Sequence, residues 1–468
     1  VNKKKQKNFD SRGMCLRRCH TDAKRSKSLF ASFSSEKEGL TFFPRLWHRR
    51  AMNPASFLLP IAVAATLLLP PFLFYARALA DIAVCLVDVL FLIHCTQTSH
   101  WAWLKRPWVW LAAALFVWQL VSSIINGPAH SVLEGAVIFR LFLFVAALED
   151  WVLTNPTVRR TLWAVLAVLG AWTFIQCWEQ FLFHHNINGY ERWPDGALTG
   201  PFYKPRAGEI FMFVSLSGLM PAILMLSRRR KGPWLTGLAL ALLVTTMVLI
   251  GQRMPNLMLL LGLCITGLLV KKLRLPLAAA LVLGVLVLVL LPHISPPTHA
   301  KLVTKFAAQM GNFFGSAYGQ LYTRAAVMVS AHPLLGFGFE GFKDYCPDPA
   351  YFHGIFGIPN AENGGAAACN IHPHNYYFQI ATMAGLPGLF MFIFMVALWL
   401  TKMARALRPS TDAVQAMLFV VTCAIYWPIA STSGMFTFDT AGWVFMLTGF
   451  GLAASARDIN QSASIKNK

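Results

Sequence analysis

Five polar side chains stand where a mostly apolar chain has little reason to keep them. Arg206 ends Gly200-Pro201-Phe202-Tyr203-Lys204-Pro205-Arg206, just before an apolar run. Arg253, in Gly251-Gln252-Arg253-Met254-Pro255, caps the turn between two such runs. Arg324 follows Tyr322-Thr323 in a long polar stretch, which His372-Pro373-His374-Asn375 closes. An arginine near membrane level usually has a partner or a task. Snorkelling to headgroups is the structural alternative for any one of them. Three on one side of the membrane fit a shared anionic ligand better, and the planar guanidinium fork suits phosphate. Asn375 is a good helix N-cap. It would place His374 at the positive end of a helix dipole, where a neutral ring able to take a proton is favoured. A plain surface histidine is the alternative, and between His372 and His374 the second is preferred because it abuts the helix start. His-x-His is also half of a metal site, but no third ligand is clear. Asp344 and Asp348 flank Cys346 and Pro347 in an irregular segment, so no metal and no cofactor are expected.

These residues need a scaffold, and composition names its class. The chain has 468 residues, 56% hydrophobic and 13% charged; soluble proteins carry about 25% charged residues. Span-length apolar runs recur along it, and in lipid such runs are helices when they do not alternate with period two. The expectation is an all-α polytopic membrane protein with about twelve transmembrane helices and one long loop carrying short helices. The spans read as 55–75, 78–95, 107–125, 132–152, 160–182, 208–226, 234–251, 255–271, 276–293, 375–400, 413–431 and 436–455. The domain reading is a basic tail at 1–51, helices one to nine within 52–293, a catalytic loop at 294–374, three helices within 375–455 and a tail at 456–468. Loops carry function when a rigid scaffold positions them.

The net charge of +21 does not argue for nucleic acid, because the basic residues sit at span ends and in the N-terminal segment. Lys105, Arg106, Arg159, Arg160, Arg228, Arg229, Arg230, Lys231, Lys271, Lys272, Arg274, Lys402, Arg405 and Arg408 fall on one side, against Arg77, Arg192, Lys204, Arg206 and Arg253 on the other, and the positive-inside rule makes the richer side cytoplasmic. Both termini then face the cytoplasm and the loop faces outward, which in a Gram-negative cell is the periplasm. Residues 1–51 lack a signal-peptide core. They read as a cytoplasmic tail, or as sequence ahead of a start at Met52. Arg140 lies mid-span, poorly placed for its neighbour Glu134, and should face the bundle interior as an ion-pair partner or a functional residue. Of the nine cysteines, most read as buried thiols. Cys346 and Cys369 fall in the loop and would form a disulfide in an oxidising compartment. No inverted repeat of the transporter kind is visible.

The ordered set resembles the O-antigen ligase and polymerase superfamily of bacterial envelope enzymes. It comprises Gly251-Gln252-Arg253, Tyr322-Thr323-Arg324, His332-Pro333-Leu334-Leu335-Gly336-Phe337-Gly338 with Phe342, His372-Pro373-His374-Asn375, and Gly385-Leu386-Pro387-Gly388. Gln252 departs from the serine that commonly precedes the arginine. The resemblance implies a membrane glycosyltransferase, which the charge bias places at the periplasmic face of the inner membrane; arginines that stabilise a diphosphate leaving group make a metal unnecessary, and a single displacement would invert the anomeric carbon. Its donor would be an undecaprenyl-diphosphate-linked glycan and its acceptor lipid A-core, with membrane lipids around it. By motif, Arg253 and Arg324 would bind the diphosphate and His374 would act on the acceptor hydroxyl; Arg206 is added from position. A polymerase joining lipid-linked repeat units shares the donor chemistry and differs in acceptor. A protein-glycosylating member is a third reading. From another class, a transporter of lipid-linked glycans also explains outward arginines, but not a histidine at a helix start.

Overall fold

In the computed structural model, residues 55–227, 232–362, 364–408, 411–430 and 433–466 are described; the expected tail at 1–51 lies outside them. The first helices are α1 (Ala55–Tyr75), α2 (Arg77–Thr98) and α3 (Pro107–Asn126). A broken pair follows, α4 (Ala129–Ala136) and α5 (Phe139–Asp150), and then α6 (Pro156–Phe183). Next are α7 (Ala207–Val214) and α8 (Met220–Leu226), joined through a π-helical turn at Ser215–Leu219. They lead to α9 (Gly232–Ile250), α10 (Arg253–Leu269) and α11 (Arg274–Ile294). The insert contributes α12 (Pro296–His299), α13 (Lys305–Gly311), α14 (Ala317–Ala331) and α15 (Gly341–Tyr345). The chain ends in α16 (Tyr376–Arg405), α17 (Ala413–Ile425) and α18 (Phe438–Lys466).

Each expected span falls on one of these helices or on a broken pair. Among the described residues nine helices are long and apolar enough to cross a membrane, with the pairs α4–α5 and α7–α8 each counted as one, while α10 and α17 are apolar but shorter. Large apolar side chains such as Trp234, Leu275 and Val282 are exposed on the bundle surface, as a helix bundle solvated by lipid requires. The protein is an all-α polytopic membrane protein. Two expectations shift at the ends. α17 stops at Ile425, because Pro428 lacks a backbone N–H and Asn375 Nδ2 takes the carbonyls of Pro428 (2.7 Å) and Ala430 (3.2 Å) into a loop. The C-terminal tail expected from 456 is instead a continuation of α18 to Lys466.

The bundle packs α1 on α2, α3 on α16, α5 on α18 and α9 on α11. Arg140 finds its partner on α2: its Nη2 lies 2.9 Å from Asp81 Oδ1, and the guanidinium sits 5.9 Å from the centre of the Phe438 ring. Of the two readings of Arg140, the structural ion pair is the one seen. At the end remote from the insert, Arg106 and Lys402 both pair with the buried Glu149, and Trp108 Nε1 donates to the same carboxylate at 3.2 Å. Lys402 lies 27 residues beyond Asn375 along α16, or about 40 Å at 1.5 Å per residue.

α16 carries the break that seats the insert. Pro387 has no N–H to offer Met383, and Gly385 takes φ 65°, ψ −170°, a conformation essentially reserved for glycine. The helix therefore leaves carbonyls open, and the insert fills them. Phe337 N–H donates to Thr382 O (2.8 Å), Gly338 N–H to Met383 O (3.0 Å), and Leu386 N–H to Pro333 O (2.7 Å). A Cβ on Gly385 would lie 2.3 Å from Leu334 O, and one on Gly336 2.6 Å from Thr382 O. α3 clasps the same joint: Trp118 Nε1 donates to Leu334 O (3.1 Å) and Ala384 O (3.0 Å), and Asn126 Nδ2 to Gly336 O (2.8 Å). The two glycine-bearing motifs are thus halves of one backbone joint. Above it, Leu321, Ala325, Met328, Phe337, Phe342 and Cys346 form a small core belonging to the insert.

Candidate functional site

Beside that joint lies a cavity of about 1080 Å³, walled by the segment before α7, the start of α10, α13, α14, the 367–374 segment and the loop before α18. Its lining includes Arg206, Arg253, His372 and His374. Four of the five polar side chains singled out by type and spacing are therefore brought together, although 168 positions separate Arg206 from His374 (374 − 206).

The histidines are held as follows. Asn375 caps α16, its Oδ1 accepting from Tyr377 N (3.0 Å) and Phe378 N (3.1 Å), which satisfies two of the free donors of the first turn. His374 precedes it in the left-handed region, φ 54°. Its Nε2 is 2.7 Å from Asn370 Nδ2. With that amide donating, Nε2 carries the lone pair and Nδ1 the proton. The Tyr318 ring meets His374 edge-on at 5.5 Å and the His372 ring lies 4.5 Å away. His372 is buried against Gly434, where a Cβ would come within 3.2 Å of its Nδ1. The next residue back, Ser433, donates from Oγ to Glu209 Oε2 at 3.0 Å.

The arginines differ in what they have left to offer. Arg206 pairs with Asp439, which also takes Arg77. Burial, then the neighbouring Arg77 charge, pushes the Arg206 pKa down to about 10, with Glu209 pulling the other way. It stays a cation at neutral pH, but one already shared with a carboxylate. Arg253 is steered by the turn before it. Gly251 adopts φ 75°, and Gln252 Nε2 donates to Pro205 O, tying this turn to the segment carrying Arg206. The Gln252 departure thus has a structural task. Arg253 Nε donates to Lys301 O (2.9 Å) and Nη1 to Gln309 Oε1; Nη2 donates to no other described residue.

Arg324 is where expectation and structure part. Expected beside the diphosphate, it does not line the cavity: it is fully buried one layer behind the wall. Its Nε and Nη2 donate to Ala361 O (3.0 and 2.6 Å), its Nη1 to Gly365 O (2.8 Å), and its guanidinium lies 3.8 Å from the centre of the Phe352 ring. Burial lowers its pKa from the ordinary arginine value. The physical reason for the placement is local. Ala361 O and Gly365 O accept from the guanidinium, so Arg324 supplies donors to this segment. Cys369, on the same segment, is joined to Cys346 with Cα atoms 5.9 Å apart.

Several lining residues escaped the sequence reading: Glu209, Lys301, Lys305, Gln309, Tyr318, Asn370 and Asp439. Lys301, Lys305 and Gln309 had a signal, because i, i+4, i+8 spacing puts them on one helix face. Asn370 and Asp439 had none. Lys301 pairs with Asp195 at 2.6 Å, whereas Lys305 is exposed and pairs with no described side chain. Among the described residues no three His, Cys, Asp or Glu side chains group so as to hold a metal ion.

Residues 238–393 match the family described as O-antigen ligase. That part of the chain, containing Arg253, Arg324, Cys346, Cys369, His372 and His374, belongs to the O-antigen ligase and polymerase superfamily; Arg206 lies outside the match. No curated protein matches the chain.

Proposed function

We propose, from that membership and from the cavity in which Arg253 and His374 meet, that the protein transfers a glycan from undecaprenyl diphosphate to lipid A-core. The observation that carries this is that Arg253, whose Nη2 donates to no other described residue, and His374, whose Nε2 takes the Asn370 amide, line one cavity beside a helix N-terminus. The lipid A-core oxygen attacks the anomeric carbon, and the bond from that carbon to the diphosphate oxygen breaks. The diphosphate leaves with the electron pair, and the hydroxyl proton passes to His374 Nε2, which exchanges its Asn370 contact for the substrate. Arg253 faces the growing charge on the leaving group, where a fixed cation is worth most. A single displacement inverts the anomeric centre, and a general base of this kind contributes roughly 10²–10⁴-fold. His372 packs behind His374 and orients it. The cavity faces the periplasm in this reading, with both termini in the cytoplasm. The distribution of basic residues supports that orientation.

The polymerase reaction uses the same donor site with a second lipid-linked unit as acceptor, so the acceptor is what the test must vary. Purified full chain receives lipid-linked glycan with either lipid A-core or a second lipid-linked unit, in EDTA. Glycan on lipid A-core, lost in His374→Ala, is the expected result. Growth on the lipid carrier would make the protein a polymerase with the same site. Bound donor with no transfer to either acceptor would overturn the enzymatic reading in favour of transport.

A further inference from the structure

The helical run 296–311, made of α12, the π-helical stretch Ala300–Thr304 and α13, has two faces with different neighbours. One carries Lys301, Lys305 and Gln309 into the cavity that Arg253 and His374 line. The other carries Leu302, Val303 and Phe306 into a second hollow of about 360 Å³ between α9, α10 and α11. That hollow is lined by apolar side chains apart from Arg253 and Asn256, and Asn256 Nδ2 already donates to Met247 O (3.1 Å) and Gln252 O (2.8 Å). Arg253, Leu257 and Phe306 line both hollows. Its rim, at Leu260, Val285 and Val303, is exposed on the bundle surface.

A ligand that fills both sides needs an anionic head joined to a long single apolar chain. We propose that the run 296–311 is a saddle for the donor lipid: Lys305 and Arg253 Nη2 hold the diphosphate, and the groove beside them holds the first part of the prenyl chain. This rests on the donor assigned above and names residues that assignment did not use. Arg206 pairs with Asp439 and Lys301 with Asp195, so among the described residues Lys305 is the lining cation left to join Arg253. A diphosphate carries at least two negative charges, which two cations match where a single one does not. Phe306, 5.7 Å from the Arg253 guanidinium, stands at the point where head and tail would meet.

The test measures binding to the full chain in nanodiscs of zwitterionic lipid. The probes are undecaprenyl diphosphate and geranyl diphosphate, which share a head and differ in tail. Lys305→Gln should weaken both at least tenfold, with Lys305→Arg restoring most of the loss. Val285→Trp, at a lipid-exposed position on the groove wall, should weaken undecaprenyl diphosphate about tenfold and leave geranyl diphosphate unchanged. Phosphatidylglycerol should not displace the probe at equal concentration. Wild-type binding that either variant leaves within twofold, or equal displacement by phosphatidylglycerol, overturns the saddle while the donor reading stands. No binding of undecaprenyl diphosphate to wild type overturns both.

Discussion

Arg324→Ala separates two roles that activity alone would confuse. Arg324 donates to two backbone carbonyls, Ala361 O and Gly365 O, from a fully buried position. A buried acceptor left without its partner costs roughly 1–3 kcal/mol, so the two together cost about 2–6 kcal/mol of local stability. At 1.4 kcal/mol per tenfold, even the lower figure raises the open population of the 361–369 segment about 30-fold. The reporters are within the segment: Ala361 N–H donates to Phe352 O (2.6 Å), Gly365 N–H to Glu362 O (2.9 Å) and Cys369 N–H to Ala366 O (3.1 Å). Hydrogen exchange in detergent should show their protection falling about 30-fold or more. Because Arg324 does not line the cavity, the Kd for undecaprenyl diphosphate should stay within about twofold of wild type, and the loss should appear in kcat. Arg324→Lys should behave like alanine, since an ammonium cannot span both carbonyls. The reasoning fails if exchange protection is unchanged while donor Kd rises ten- to a hundredfold. Arg324 would then touch the diphosphate itself.

Three further outcomes follow from contacts already described. His374→Ala should lower transfer by about 10²–10⁴-fold with little change in donor Kd; His372→Ala should cost less, and equal losses in both would remove the distinction drawn between them. Peptide mapping without reductant should recover the Cys346–Cys369 link, whose 23-residue separation predicts about 3 kcal/mol of stabilisation; alkylation of both thiols in untreated protein would refute it. Gly385→Ala should destabilise the fold by at least about 1–3 kcal/mol from backbone conformation alone, read as a lower Tm in detergent, and an unchanged Tm would mean that the joint between α16 and the insert is not as described.

What could be seen in the sequence, and what could not, divides along the same physical line. Apolar runs announce membrane helices because lipid leaves the backbone no other option, so each expected span found a helix. Arg206, Arg253, His372 and His374 were conspicuous because a polar group near lipid must be explained, and all four line one cavity. The same logic did not foresee where Arg324 lies, behind the cavity wall. A buried arginine whose three nitrogens each donate to backbone has the same one-letter signature as one waiting for phosphate, and only the carbonyls of Ala361 and Gly365 tell them apart. Asp439 was invisible for the converse reason: its two arginine partners, Arg77 and Arg206, stand far off in sequence. Lys305 was readable in principle, through its spacing from Lys301 and Gln309, yet a lysine in a polar loop raises no alarm until a wall of apolar side chains is found on the other face of its helix. The glycine motifs carried the opposite lesson. Gly336 and Gly385 stand out like catalytic signatures, but their φ of 67° and 65° let two backbones lie in contact, and the chemistry belongs to the side chains which that joint holds in place.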